Sequence, residues 1–162
     1  MSANRYGNHI CVLPEDDYNA RIADEFLQNL PEKSLRVIQV MPVTGGWLKA
    51  VECFEQEYIP RLRNFSRSHV LLAIDFDHDV ASRLRYVSTR IPSDVRDRVF
   101  VLGSLDEAED LRRSLGDIKL IGSKMTEACR TDEPGIWSSP LLQHNAPELE
   151  RLRHTVRPFL FQ

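Results

Sequence analysis

The chain has 162 residues, of which 42% are hydrophobic and 28% are charged, and its formal net charge is −3. This length is sufficient for a hydrophobic core without disulfides, so we predict a single domain over residues 1–162. The net negative charge excludes nucleic-acid binding by bulk positive charge. No apolar run reaches the roughly 18 to 20 residues that a membrane span requires.

Short apolar runs alternate with amphipathic stretches along the chain. Strands are predicted at residues 9–13, 35–43, 69–74 and 98–103, and a short fifth strand at 118–121. Helices are predicted at residues 18–30, 47–62, 80–91, 104–116 and 123–130, and after Pro147. The helix after the fourth strand has a Ser104–Glu107 capping box at its start and Gly116 at its end.

This alternation predicts an α/β fold with three layers. We expect a mainly parallel sheet of four to five strands with helices on both faces. Residues 9–121 would form the α/β core, and residues 122–162 would form a helical C-terminal extension that packs on it.

The spacing of the cysteines and the sequence of the N-terminus bear on the subcellular compartment of the protein. Cys11, Cys53 and Cys129 are far apart and lack the spacing of a zinc site. The N-terminus lacks the apolar core of a secretory signal. Both features favour a reducing cytoplasm.

Three aspartates end the apolar run that begins at His69. Asp75, Asp77 and Asp79 occupy alternate positions, which point to the same side of an extended backbone and could converge on one cation. Mg²⁺ prefers such oxygen ligands. The structural alternative is that aspartates are common where a strand gives way to a loop or a helix N-terminus.

The first predicted strand also ends in acids, at Glu15, Asp16 and Asp17. If the first and third strands are neighbours, the two acidic ends meet in space. Carboxylates packed that closely raise one another's pKa unless a cation neutralises them. Alternatively, these acids only open the following helix, whose dipole favours negative charge.

The chain resembles the Toprim domains of primases, topoisomerases, small ribosomal-RNA maturases and overcoming-lysogenization-defect type nucleases. Their pattern is a strand followed by glutamate and a later apolar strand followed by Asp-x-Asp, which here are Glu15 and Asp75-Phe-Asp77. Asp79 stands where many members carry a third acid, and Thr44-Gly-Gly46 stands where the family often has glycines. The resemblance covers about residues 9–121. It departs from the family at Asp16, which stands in place of the usual glycine.

The resemblance implies a phosphodiester-cleaving, nuclease-type enzyme that depends on Mg²⁺ or Mn²⁺ and serves nucleic-acid processing or phage defence. Asp75 and Asp77 would hold the metal, and Asp79 would assist directly or through water. Glu15 would complete the metal shell or act as the general base, so Glu15 and Asp75 are the expected catalytic residues.

Two other functions fit the same residues. One is a non-catalytic Toprim-like interaction module. The other is a receiver-like signalling domain in which Asp75 accepts phosphate and Lys119 lies on the fifth strand. DNA or RNA could bind through local arginine clusters (residues 61–67, 83–98 and 151–157), and a protein partner or a second copy of the chain is an alternative; no membrane partner is expected.

Overall fold

The structure, a computed structural model, describes residues 6–161. Within them, four strands form one parallel sheet in the order β2-β1-β3-β4. The strands are β1 (His9–Pro14), β2 (Ile38–Val40), β3 (Ser68–Ala73) and β4 (Val99–Leu102). The predicted parallel α/β fold is confirmed, and β1 and β3 are neighbours that pair from His9↔Ser68 to Pro14↔Ala73.

Helices follow the strands. They are α1 (Asp17–Gln28), α2 (Trp47–Cys53), α3 (Ile59–Asn64), α4 (Val80–Arg90), α5 (Asp110–Leu115), α6 (Ile118–Arg130), α7 (Ala146–Thr155) and α8 (Arg157–Leu160). A π-helical turn at Phe54–Tyr58 joins α2 to α3, so the two form one continuous helix. None of the helices within residues 6–161 combines the length and the apolar character that crossing a bilayer requires.

Both faces of the sheet are buried, which gives three layers. Leu72 and Ile74 pack beneath α2, α3 and α4, together with Phe54. Ile10 and Phe100 point to the opposite face, where α1, α7 and α8 cover them. Successive residues of a strand point to opposite faces, and the near-continuous apolar strands reflect burial on both sides.

Helix α6 packs on the outer side of α1 through a glycine contact. A Cβ at Gly122 would lie 2.5 Å from the Cβ of Glu25, so only glycine allows this approach of the two helices. The Thr126 hydroxyl also donates to the Phe26 carbonyl oxygen at 3.1 Å. This contact places α6 and the segment after it against the core.

The structure corrects the predicted elements after β4. The predicted fifth strand at 118–121 is wrong, because these residues begin α6, where Asp117 caps the helix by accepting from the Leu120 amide at 2.9 Å. The proposed boundary at 121/122 therefore falls inside a helix. The prediction that Ser104 and Glu107 form a capping box is also wrong, because α5 begins at Asp110. The helix ends at Gly116 (φ +106°), as predicted.

Candidate functional site

Glu15 follows the last residue of β1 and is held by the turn at residues 44–46. Its carbonyl oxygen accepts from the Gly45 and Gly46 amides at 2.9 and 3.2 Å. Its Oε2 accepts from the Asp75 amide at 2.6 Å. The Gly-Gly turn predicted from the sequence is therefore the segment that encloses Glu15.

Glycine is required in this turn by backbone conformation. Gly45 has φ +93° and Gly46 has φ +151°, both in the region that residues with a Cβ rarely adopt. The Thr44 amide donates to the Pro14 carbonyl oxygen at 3.1 Å, which ties the turn to the end of β1. The helix α2 then starts directly beside the Glu15 carboxylate.

Asp75 lies two residues beyond the end of β3 and is only 5% exposed. Its Oδ1 accepts from the Asn19 side-chain amide at 3.1 Å and from the Ala108 backbone amide at 3.2 Å. Among the described residues, no hydrogen bond reaches its Oδ2, and this atom is not among the fully enclosed unpaired ones. One carboxylate oxygen is therefore anchored and the other is available.

Burial and neighbouring acids disfavour negative charge at this site. Burial raises the pKa of Asp75 from 3.8 to about 7; the hydrogen bond from Asn19 opposes this shift, and the nearby Asp16 and Glu15 carboxylates add to it. Burial likewise raises the pKa of Glu15, although its hydrogen bond from the Asp75 amide opposes the shift. The Glu15 carboxylate touches the Asp75 amide, which is three bonds from the Asp75 carboxyl carbon, so the two acids are neighbours.

Asn19 connects two of the acids and was not predicted from the sequence. Asp16 caps α1 by accepting from the Asn19 amide at 2.9 Å, and its Oδ1 also accepts from the Asn19 side chain at 3.0 Å. The same side-chain nitrogen donates to Asp75. The only sequence signal was an amide side chain three residues after a capping acid, which is too common to single out.

Asp77 and Asp79 have partners other than Glu15 and Asp75 in this structure. The strand β3 ends at Ala73, and Asp77 and His78 have φ of +49° and +58°, so the alternation expected of an extended backbone is lost. Asp77 is exposed, with its carboxylate 3.6 Å from Arg83, and Asp79 caps α4. His78 pairs instead with Asp106 at 3.2 Å.

Arg83 is a cation that lies next to Asp75 and acts electrostatically on Glu15. Its Nη1 donates to the Asp75 carbonyl oxygen at 2.5 Å, and its guanidinium lies 4.7 Å from the centre of the Trp47 ring. The side chain is only 17% exposed. Arginine stacked on an aromatic ring is held in place while it keeps further donors for an anion.

Residues 144 and 145 of the C-terminal extension fix the position of Gly103, which packs against Ile74, the residue before Asp75. A Cβ at Gly103, just after β4, would lie 1.6 Å from the Ile74 carbonyl oxygen, so this position requires glycine. The Gly103 carbonyl oxygen contacts His144 Nε2 at 2.6 Å and accepts from the Asn145 side chain at 2.9 Å. The Asn145 Oδ1 accepts in turn from the Gly103 amide at 3.1 Å.

The predicted group of four metal-binding carboxylates is not brought together here. Residues 6–161 contain no group of three or more His, Cys, Asp or Glu side chains arranged to hold a metal ion. Glu15 and Asp75 meet, whereas Asp77 and Asp79 have other partners. Lys119, which the receiver-like alternative requires on a fifth strand, is exposed on α6.

Comparisons with known proteins found no relative of this chain. No protein-family model matches the chain, and neither a curated protein nor a solved structure matches it.

Proposed function

We propose that the chain is a Mg²⁺- or Mn²⁺-dependent phosphodiester-cleaving enzyme of the Toprim-like type that acts on nucleic acid, with Glu15 and Asp75 as its catalytic pair. The observation that carries this proposal is their place in the sheet. The β1–α1 connection leaves toward one face and the β3–α4 connection toward the other, although β1 and β3 are adjacent. In open α/β sheets, ligands bind in the crevice at such a switch point.

The charge of the site also supports a cation. Glu15 and Asp75 both have raised pKa values, and Asp16 adds a third acid through Asn19. An asparagine at position 75 could accept the same two hydrogen bonds without a charge. The surroundings of Asp75 disfavour its negative charge. The presence of a carboxylate at this position is therefore best explained by a positively charged ligand.

The donor set suits a hard divalent ion. Mg²⁺ is usually held by one or two carboxylates and several waters, so a third protein acid is not required. Glu15 and the free Oδ2 of Asp75 would hold it, with Asp77 and Asp79 assisting from the same loop. When bound, the ion would stabilise negative charge on the phosphate.

Chain residues would perform the remaining chemistry. Glu15 would either complete the metal shell or, if Asp75 holds the ion without it, accept the proton of the attacking water. Arg83 would bind a phosphate oxygen with its remaining donors. The N-termini of α1, α2 and α4 follow β1, β2 and β3 and so lie at this edge, where their dipoles favour an anion.

Nucleic acid would approach this edge through local arginines, and a reducing, cytoplasmic setting fits the three free thiols. A second copy of the chain or a protein partner would be compatible with the same site.

The experiment measures both Mn²⁺ binding and cleavage. The protein is incubated with Mg²⁺ or Mn²⁺ and single- and double-stranded DNA and RNA, and Mn²⁺ binding is followed by electron paramagnetic resonance. We expect binding and cleavage to be lost in Glu15→Gln and Asp75→Asn. Asp17→Asn is the matched control, because Asp17 is an exposed acid in the first turn of α1, two residues after Glu15, and should be dispensable.

Two further variants test the auxiliary acids. Asp77→Asn retains a residue that tolerates φ above zero, and Asp79→Asn retains a good N-cap, so both remove charge with little structural change. A fall in Mn²⁺ affinity would show that these acids assist. No Mn²⁺ binding and no cleavage by the unmodified protein would overturn the proposal and favour the interaction module.

A further inference from the structure

The helix α4 is a basic element that begins beside the acidic edge. It starts at Val80, shortly after Asp75, and contains Arg83, Arg85 and Arg90 but no acidic residue. The chain as a whole has a formal net charge of −3, so the charge of this helix is a local exception. A polyanion that reaches the acidic edge therefore finds complementary charge along α4.

Two of these arginines form a continuous stripe with two aromatic rings. Residues 83, 86 and 90 lie on one side of α4. The Arg83 guanidinium lies 4.7 Å from the centre of the Trp47 ring, and the Arg90 guanidinium lies 4.9 Å from the centre of the Tyr86 ring. The two rings meet edge to face with their centres 5.4 Å apart. We call this row of four side chains the arginine–aromatic stripe.

The stripe keeps donors free for a ligand. Among residues 6–161, no hydrogen bond holds the Arg90 guanidinium, and its ion pair with Glu55 is long, at 3.8 Å, with 45% of the Arg90 side chain exposed. Arg83 donates to the Asp75 carbonyl oxygen through Nη1 alone. The stacking on aromatic rings holds both guanidinium groups while leaving their other N–H groups for phosphate oxygens.

Most arginines of the other predicted clusters do not offer such a path. Arg96 and Arg98 donate to backbone carbonyl oxygens, and Arg151 and Arg157 are paired with acids. Residues 61–67 precede β3, so they lie at the opposite edge of the sheet from the residues that follow it. The stripe is therefore the arginine surface that continues from the acidic edge.

We infer that the arginine–aromatic stripe is the path of a single-stranded nucleic acid that leads to the acidic edge. Its phosphates bind to Arg83 and Arg90, which are seven residues and so about 10 Å apart along α4, or about three nucleotides of a stacked strand. Its bases lie against the guanidinium planes and the exposed parts of the rings. Only unpaired bases can do so, because the bases of a duplex are stacked on one another. The inference rests on the proposed function and specifies its substrate.

Oligonucleotide binding by the full chain tests the inference without divalent ions, so that neither the metal site nor cleavage contributes. Fluorescence anisotropy at low salt compares a labelled single strand of about 12 nucleotides with the duplex of the same sequence, and we expect the single strand to bind more tightly. Arg90→Gln should weaken single-strand binding about fivefold or more. It should also reduce the slope of log affinity against log salt by about 0.7, the value of one phosphate contact on a single strand.

Arg85→Gln is the matched control. It removes the same charge from the same helix about 200° around the axis from Arg83, so affinity and salt slope should stay nearly unchanged. Glu55→Gln removes the acid that faces Arg90 and should tighten single-strand binding, which a loss of stability would not produce. Tyr86→Leu keeps apolar packing but removes the ring, so it should weaken single-strand binding about fivefold and leave duplex binding nearly unchanged.

Two results would overturn the inference. One is equal single-strand affinity in Arg90→Gln and Arg85→Gln, and the other is duplex binding as tight as single-strand binding. Either result is compatible with Mn²⁺ uptake and metal-dependent cleavage. Strand binding along the stripe by a protein that neither takes up Mn²⁺ nor cleaves would instead overturn the proposed function and keep the binding path.

Discussion

The surroundings of Asp75 favour the neutral, protonated form of its side chain. Burial raises its pKa to about 7, so the folded chain binds a proton there more tightly than the unfolded chain does. The contribution of Asp75 to stability should therefore fall as the pH rises from about 4 to about 7, and the loss of that contribution should be complete above that window. The sign is opposite to that of an aspartate stabilised by a salt bridge.

The first stability prediction concerns Asp75→Asn. Asparagine can accept from Asn19 and Ala108 through its own oxygen and present its amide nitrogen where Oδ2 is free. We expect this variant to be more stable than the unmodified protein by about 2 to 4 kcal/mol at about pH 8, and nearly equal at about pH 4. Urea unfolding across this pH range measures the difference. Equal stability at high pH would contradict the assigned pKa shift.

Sequence alone predicted the meeting of Glu15 and Asp75, because residues that follow neighbouring parallel strands arrive at one edge of the sheet. It could not predict where Asp77 and Asp79 point. Their directions depend on the left-handed conformations of Asp77 and His78, for which neither residue type is diagnostic. Asn19 was missed, and Arg83 was predicted only as one member of an arginine cluster, because each acts through one precise contact that leaves no periodic pattern.

Helix α6 shows how a tertiary contact is encoded by one residue. Gly122 lets α6 approach α1 so closely that a Cβ would lie 2.8 Å from the backbone carbonyl carbon of Glu25. Backbone cannot give way as a flexible side chain can, so any larger residue must separate the two helices. The same helix begins in a segment predicted as a strand, since Ile118-Lys-Leu-Ile121 is an apolar run too short to distinguish by periodicity.

The second prediction is that Gly122→Ala destabilises the protein by about 3 kcal/mol, even though alanine is the better helix former by about 1 kcal/mol. The cause is overpacking of α6 against α1. Ser123→Ala is the matched control, because Ser123 is the exposed neighbour on the same helix and should tolerate the change. Thermal and urea unfolding of both variants provide the measurement, and a Gly122→Ala protein as stable as the control would refute the contact.

At the scale of the whole molecule, the C-terminal extension is part of the core. Leu152, Phe159 and Leu160 are buried against the face of the sheet that carries Ile10 and Phe100. The Ser34 hydroxyl donates to the Leu160 carbonyl oxygen, which ties the end of α8 to the segment before β2. The sequence predicted a helical extension that packs on the core, and in the structure α7 and α8 complete one layer against the sheet.

The third prediction follows from this burial. Removal of residues 141–162 should leave one face of the sheet uncovered, and the shortened chain should lose cooperative thermal unfolding and bind a hydrophobic dye. Circular dichroism and dye fluorescence, compared with the full chain, measure this. A shortened chain that melts cooperatively with native near-ultraviolet circular dichroism would instead make residues 9–140 a self-sufficient unit.

The clamp of His144 and Asn145 on Gly103 has a consequence for synthesis on the ribosome. The carboxylates at positions 15 and 75 emerge first, while the residues that fix the loop after β4 emerge about forty positions after Gly103. The nascent chain therefore carries an incomplete acidic edge until residues 144–145 have left the ribosome.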